Sequence, residues 1–141
     1  SQWVSLKCGW SHLILKGISP QGEEMLYGWG RDDMQQYVSS ETSTECSSGQ
    51  KRVPLALPPS GNYISEVWCG SEMTVIADCQ GLLWYSGWQD DGIESNASSS
   101  VEWKPLLKED GGHMQAHSEH GGVFSGHVAC GGAHTFCIAS R

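Results

Sequence analysis

Val4, Leu6 and Cys8 alternate with Ser5 and Lys7, the period-two pattern of a half-buried strand. Leu13-Ile14-Leu15 then forms a second apolar strand, across a turn that Gly9 permits. The same hairpin pattern returns twice. Val67 and Cys69 precede Thr74-Val75-Ile76-Ala77, and Val128 and Cys130 precede Thr135-Phe136-Cys137-Ile138-Ala139. A third strand is predicted at Met25 to Gly30 and at Leu82 to Trp88, both aromatic and punctuated by glycine. A fourth, short strand is predicted at Arg52 to Leu55 and at Val101 to Leu106. Pro54 and Pro105 are tolerable there because an outermost strand leaves one side unpaired.

The hairpins fall in phase. Cys8-Gly9-Trp10-Ser11-His12, Cys69-Gly70-Ser71-Glu72-Met73 and Cys130-Gly131-Gly132-Ala133-His134 stand 61 residues apart, Cys8 to Cys69 and Cys69 to Cys130. Four antiparallel strands per repeat describe a propeller blade. The expected fold is therefore all-β, a partial β-propeller of about two and a half four-stranded blades. The repeats are 3–63, 64–122 and an incomplete 123–141, parts of one domain.

These residues resemble the regulator of chromosome condensation repeat family, in which a Cys-Gly-x-x-His hairpin is followed by an apolar strand, a Trp-Gly and a Gly-Gln-Leu-Gly stretch. Cys8, Gly9 and His12 match that pattern, as do Cys130, Gly131 and His134, and Trp29-Gly30 matches the Trp-Gly. Met73 replaces the second histidine, Gly87-Trp88 reads as an inverted Trp-Gly, and Met34-Gln35-Gln36 and Gly92-Ile93-Glu94 stand where Gly-Gln-Leu-Gly would be. The chain is thus similar to a divergent member. The resemblance implies a propeller of about seven blades. It also implies that this chain is a C-terminal portion, with the remaining blades supplied by the N-terminal part of the same protein or by a second chain.

Charge and composition narrow the function. Eight basic against sixteen acidic residues give a net charge of -8, which argues against binding to a phosphate backbone. No apolar run reaches the length of a membrane span. Nucleic acid and membrane are not expected partners. The six cysteines include Cys8, Cys69 and Cys130 at equivalent strand positions, so they are expected as small buried hydrophobes with free thiols, in the reducing cytoplasm or nucleus. Asn96-Ala97-Ser98 is then a chance glycosylation sequon.

Two stretches interrupt the repeats. Ser39 to Gln50 is Ser, Thr and Glu rich and reads as a solvated insertion; a phosphorylated docking segment is the alternative. Gly111 to Gly122 carries His113, His117 and His120, with His127 beyond. Metal ligation is conceivable for such spacing, but the interleaved glycines favour a mobile loop, so no metal is expected. His12 and His134 read as structural, each ring bonding a backbone group near the propeller axis. Met73 at the same place speaks against a general base or ligand there. No catalytic residue and no cofactor are expected.

The function expected is a non-enzymatic protein-interaction scaffold or regulatory subunit. The family resemblance supplies the alternative, guanine-nucleotide exchange on a small GTPase, although no residue matches a wedge for such a site. In a four-stranded meander the loop between strands one and two lies on the same side as that between three and four. Trp10, Glu72, the Arg31-Asp32-Asp33 turn and the Asp90-Asp91 turn therefore share one face, joined by Glu41 and Glu45 of the insertion. This acidic face should take a partner with a basic surface, anchored on Trp10 and Trp88.

Overall fold

The computed structural model describes residues 2–33, 35–40, 52–87, 102–107, 110–115, 127–131 and 135–138. It contains two four-stranded antiparallel meanders and a two-stranded hairpin. The first blade comprises β1 (Gln2–Cys8), β2 (His12–Ile18), β3 (Glu24–Gly30) and β4 (Val53–Pro54). The second comprises β5 (Ile64–Cys69), β6 (Met73–Asp78), β7 (Leu83–Gly87) and β8 (Lys104–Pro105), and β9 (His127–Cys130) with β10 (Thr135–Ile138) begins a third. No helix occurs among the described residues, so none is long and apolar enough to cross a membrane. β1 lies against β5, and β5 against β9, so the first strand of each repeat lines up with the next. The fold is part of a β-propeller.

The repeat extends to irregularities. Register shifts occur between Trp3 and Ser5 and between Ile64 and Glu66, placing Val4 and Ser65 at equivalent bulges. Cys8 pairs with Leu13 and Cys69 with Thr74; Cys130 pairs with Thr135. His12 pairs with Gly30 as Met73 pairs with Gly87. This last register corrects the reading of Gly87-Trp88 as an inverted Trp-Gly. Gly87 occupies the place of Gly30, and Ser86 replaces Trp29. Both glycines have left-handed φ, 101° and 110°, and an added Cβ would lie 2.5 Å from the Ser11 oxygen at Gly30 and closer still to the Glu72 oxygen at Gly87, so a side chain is excluded at each.

The core lies between blades rather than within one. Ile14, Tyr37, Val38 and Leu55 of the first repeat pack with Ile64, Val67, Ile76, Trp84 and Trp103 of the second. Trp103 also donates its indole N–H to the Ala56 carbonyl across that boundary at 2.8 Å. A second cluster, Ala77, Leu83 and Leu106 with Trp68, Tyr85 and Met114, reaches Val128 of the third repeat. The second blade thus presents one face to the first blade and the other to the third repeat.

Two expectations are corrected. Every residue of β1 is exposed, Cys8 included, while Cys69 and Cys130 are half-buried. The alternation in β1 is real, but no preceding blade covers its apolar side among the described residues. The Gly111 to Gly122 stretch is not simply a mobile loop. Met114 exchanges backbone bonds with Leu83 and Leu106, and His113 donates from Nε2 to the Leu83 carbonyl at 2.7 Å. The His113 ring also stands edge-on to Trp84, with centroids 4.6 Å apart. These bonds hold residues 113–115 on the sheet. His117 and His120 lie outside the described residues, as does the insertion from residue 41 to 51; Ser39 and Ser40, at its start, are bonded to the β4 region.

Candidate functional site: the Trp10 end of the blades

The turn between β1 and β2 is tight because Gly9 donates its N–H to the His12 carbonyl at 2.9 Å. A Cβ at Gly9 would sit 2.5 Å from the Gly70 oxygen and overlap the His12 ring, which explains Cys-Gly-x-x-His physically: the glycine makes room for the side chain three residues on. Gly70 has the same relation to Met73, whose Cγ would lie 2.8 Å from an added Cβ. A thioether therefore fills the volume that an imidazole fills one blade earlier.

Backbone bonds join these turns across blades. Trp10 donates its N–H to the Ser71 carbonyl at 2.9 Å, and Ser71 donates in turn to the Gly131 carbonyl at 3.2 Å. Trp10 itself is 83% exposed. A large aromatic side chain thus projects into solvent from a backbone fixed at both ends.

Beside it, the segment after β3 wedges between the blades. Gln35 adopts a left-handed conformation, φ 56°, and its carbonyl accepts the Ser86 hydroxyl at 2.6 Å. Gln36, Tyr37 and Val38 are buried. The Thr74 hydroxyl donates to the Gln36 carbonyl at 2.6 Å, which uses its one hydrogen, so His12 Nε2, 2.9 Å away, must be the donor to Thr74 Oγ1. His12 is structural, as expected, but its Nε2 partner is a side chain of the next blade rather than a backbone group. Its Nδ1 is buried with no hydrogen-bond partner among the described residues. Burial lowers the His12 pKa below its ordinary value, against the opposing pull of Glu72 and the Met73 backbone. The ring is held neutral.

The charged residues at this end are also tied into the frame. Glu72 Oε2 accepts from Ser11 Oγ at 2.9 Å and from Gln36 Nε2 at 2.7 Å. These bonds, that from Gln36 foremost, hold its pKa below the usual carboxylate range. Arg31 makes a two-pronged pair with Asp33, whose Oδ2 lies 2.7 Å from Nη2, and the Asp33 carboxyl is lowered accordingly. The Asp32 side chain caps the Tyr37 N–H at 3.3 Å. Asp32 retains open surface, yet desolvation behind the turn pushes its pKa up to about 6. Burial likewise pushes Tyr37 up to about 12, while its hydroxyl donates to the Gly30 carbonyl at 3.2 Å.

Of the residues predicted to share a face, Trp10, Arg31, Asp32, Asp33 and Glu72 do gather at one end, through bonds that link Trp10 to Ser71, Ser11 to Glu72, and Gln36 to Glu72. Trp88, Asp90 and Asp91 lie outside the described residues, as do Glu41, Glu45 and His134. Sequence reasoning missed the buried Gln36-Tyr37-Val38 strap and the Thr74 relay. The only available signal was the apolar Tyr37-Val38 pair inside an otherwise polar stretch. Among the described residues no group of three or more His, Cys, Asp or Glu is placed to hold a metal.

The fold and this end define the class: a set of consecutive propeller blades stitched at their hairpin turns. No family model matches the chain, and no curated protein matches it. A solved structure with a similar fold is that of human WBSCR16, at a TM-score of 0.52 and 14% identity. The likeness covers 99% of this chain and 45% of that one, so the chain spans less than half the length of its structural neighbour. At that identity the likeness bears on the fold alone, and it agrees with the blade arrangement.

Proposed function

We propose that the protein is a non-enzymatic interaction scaffold or regulatory subunit, and that its partner docks at the Trp10 end. The observation that carries this reading is the 83% exposure of Trp10 on a turn whose backbone is bonded to the neighbouring blade. An aromatic anchor on a rigid frame contributes contact area with little ordering cost, which is why Trp recurs at binding hot spots. The charges around it favour a basic partner, because Asp32, Asp33 and Glu72 gather there and Arg31 is already paired with Asp33. Much of that charge is already engaged, so its effect is steering and orientation, with the energy centred on Trp10. The resemblance of the hairpins to the regulator of chromosome condensation family supports a propeller that serves other proteins, in the cytoplasm or nucleus.

The test is quantitative affinity capture with the wild-type protein and Trp10→Ala, followed by calorimetry on the purified partner. Trp10→Ala should weaken binding by about 2 kcal/mol or more, roughly thirtyfold, and leave the melting temperature unchanged. Equal affinity of the two proteins for every captured partner would reject this docking site. A nucleotide-release assay on small GTPases separates scaffolding from exchange: accelerated release would replace the scaffold reading with the exchange one.

A further inference from the structure

The two interfaces inside the molecule define what a blade face looks like when covered. On the side facing the first blade, the second blade carries Val67, Cys69, Thr74, Ile76, Trp84 and Ser86. Val67 is 6% exposed and Ile76 0%. The strand registers assign each an equivalent in the first blade: Leu6, Cys8, Leu13, Leu15, Tyr27 and Trp29. That face is open. Leu6 is 53% exposed, Trp29 is 41%, and Trp3 beside them is 46%.

The open face differs from the covered one in an informative way. Thr74 and Ser86 are the hydroxyls that engage His12 and the Gln35 and Gln36 carbonyls of the first blade. Leu13 and Trp29 replace them and offer no such hydroxyl. A histidine set against Leu13, as His12 is set against Thr74, would be buried without an acceptor for its Nε2 proton. At the outer end Arg52 takes the register position of Trp103. Its guanidinium rests over the Trp3 and Tyr27 rings at 5.1 and 5.2 Å, and Trp3 meets Tyr27 edge-on at 6.1 Å. Trp103 donates to the backbone of the blade before it, and Arg52 presents donors at the same place.

We propose that the face formed by Leu6, Cys8, Leu13, Leu15, Tyr27 and Trp29 seats a further four-stranded blade, one that sets an apolar residue against Leu13 in the place that His12 holds against Thr74. The continuity is direct. The second blade meets the first through the same positions, and the third meets the second through Val128, the equivalent of Val67 and Leu6. The WBSCR16 chain extends well beyond the part that this chain matches, so there is room in such a fold for the added blade.

Two measurements on the protein in its own cells test this. A benzophenone amino acid replaces Leu13 or, separately, Trp29, and the cross-linked peptide is identified after irradiation, with Gln21 in the β2 to β3 turn as the solvent control. The expected product joins either position to a strand hairpin in which the third residue after a Cys-Gly-like turn glycine is apolar. The accompanying readout needs no substitution: Cys8 and Cys69 are alkylated with iodoacetamide in the native protein and followed by mass spectrometry. Burial pushes the Cys69 thiol up to about 12. A covered Cys8 should share that protection and react at least about a hundredfold more slowly than in urea. Cross-linking at the Gln21 level with Cys8 as reactive as in urea would overturn the proposal. So would a product within residues 1–141 of a second copy, or a histidine opposite Leu13.

Discussion

Replacing Thr74 by Val tests whether the blades are locked by a polar relay or only by their apolar faces. The substitution keeps the shape of a fully buried side chain and removes one hydroxyl. That hydroxyl donates to the Gln36 carbonyl at 2.6 Å and accepts from His12 Nε2 at 2.9 Å, so its loss strands one acceptor and one donor at the boundary between repeats. Each stranded group costs about 1 to 3 kcal/mol, so the pair costs about 2 to 6, and a small gain for the added methyl places the loss at about 2 to 5 kcal/mol. In urea, with a slope of about 2 kcal/mol per molar, the midpoint should fall by about 1 to 2.5 M. His12→Met supplies the second arm of a double-mutant cycle, since Met73 shows that the thioether fits the equivalent space. In that background Thr74→Val strands only the Gln36 carbonyl, and its cost should drop to about 1 to 2 kcal/mol. A midpoint within 0.3 M or so of wild type, or identical costs in both backgrounds, would refute the relay.

Asp32→Asn should stabilise the protein at neutral pH. The folded carboxyl titrates near 6 against an ordinary 3.8, so its contribution is present below pH 3.8 and lost as the pH rises through 6. Full linkage would be about 3 kcal/mol, reduced to about 1 by the open surface of Asp32; thermal melts should show a gain at pH 7.5 that vanishes at pH 4. Asp78→Asn should have the opposite sign. Burial pushes the Asp78 carboxyl up, but bonds from Ser60, Asn62 and the Leu82 and Gln80 N–H groups outweigh it and leave the pKa lowered. Its stabilising effect is therefore present above the ordinary carboxylate pKa and lost as the pH falls through the lowered value. An amide turns two hydrogens toward those donors, so chemical unfolding at pH 7 should show a loss of about 2 to 4 kcal/mol that shrinks in acid.

The blades were legible because their strands carry the pattern locally. Cys8, Cys69 and Cys130 keep phase over 61 residues, and Gly9 with His12 marks a turn closed locally by the bond between those two residues. The strap was not legible, because Asp32 to Val38 reads as polar linker until Gln36 is seen donating to Glu72 and accepting from Thr74, 38 positions away in sequence. Trp103 posed the same difficulty: it stands just before β8 rather than on it, and its indole is fixed by Ala56 of the other repeat. Cys8 failed in the opposite direction. It holds the same strand position as Cys69, two residues after an apolar one and just before a glycine, and the presence or absence of a neighbouring blade separates the two.

The link from Trp10 to Ser71 and from Ser71 to Gly131 is made by peptide groups alone. The side chains at the third position of the first two Cys-Gly-x turns are thus released from any part in that link, and the sequence varies there, with Trp10, Ser71 and Gly132 in turn. Stability and recognition are written in separate alphabets at these sites. The rim can change its side chains, one blade at a time, without weakening the seam beneath them. A scaffold built this way can acquire a new partner through substitutions that its own folding does not register.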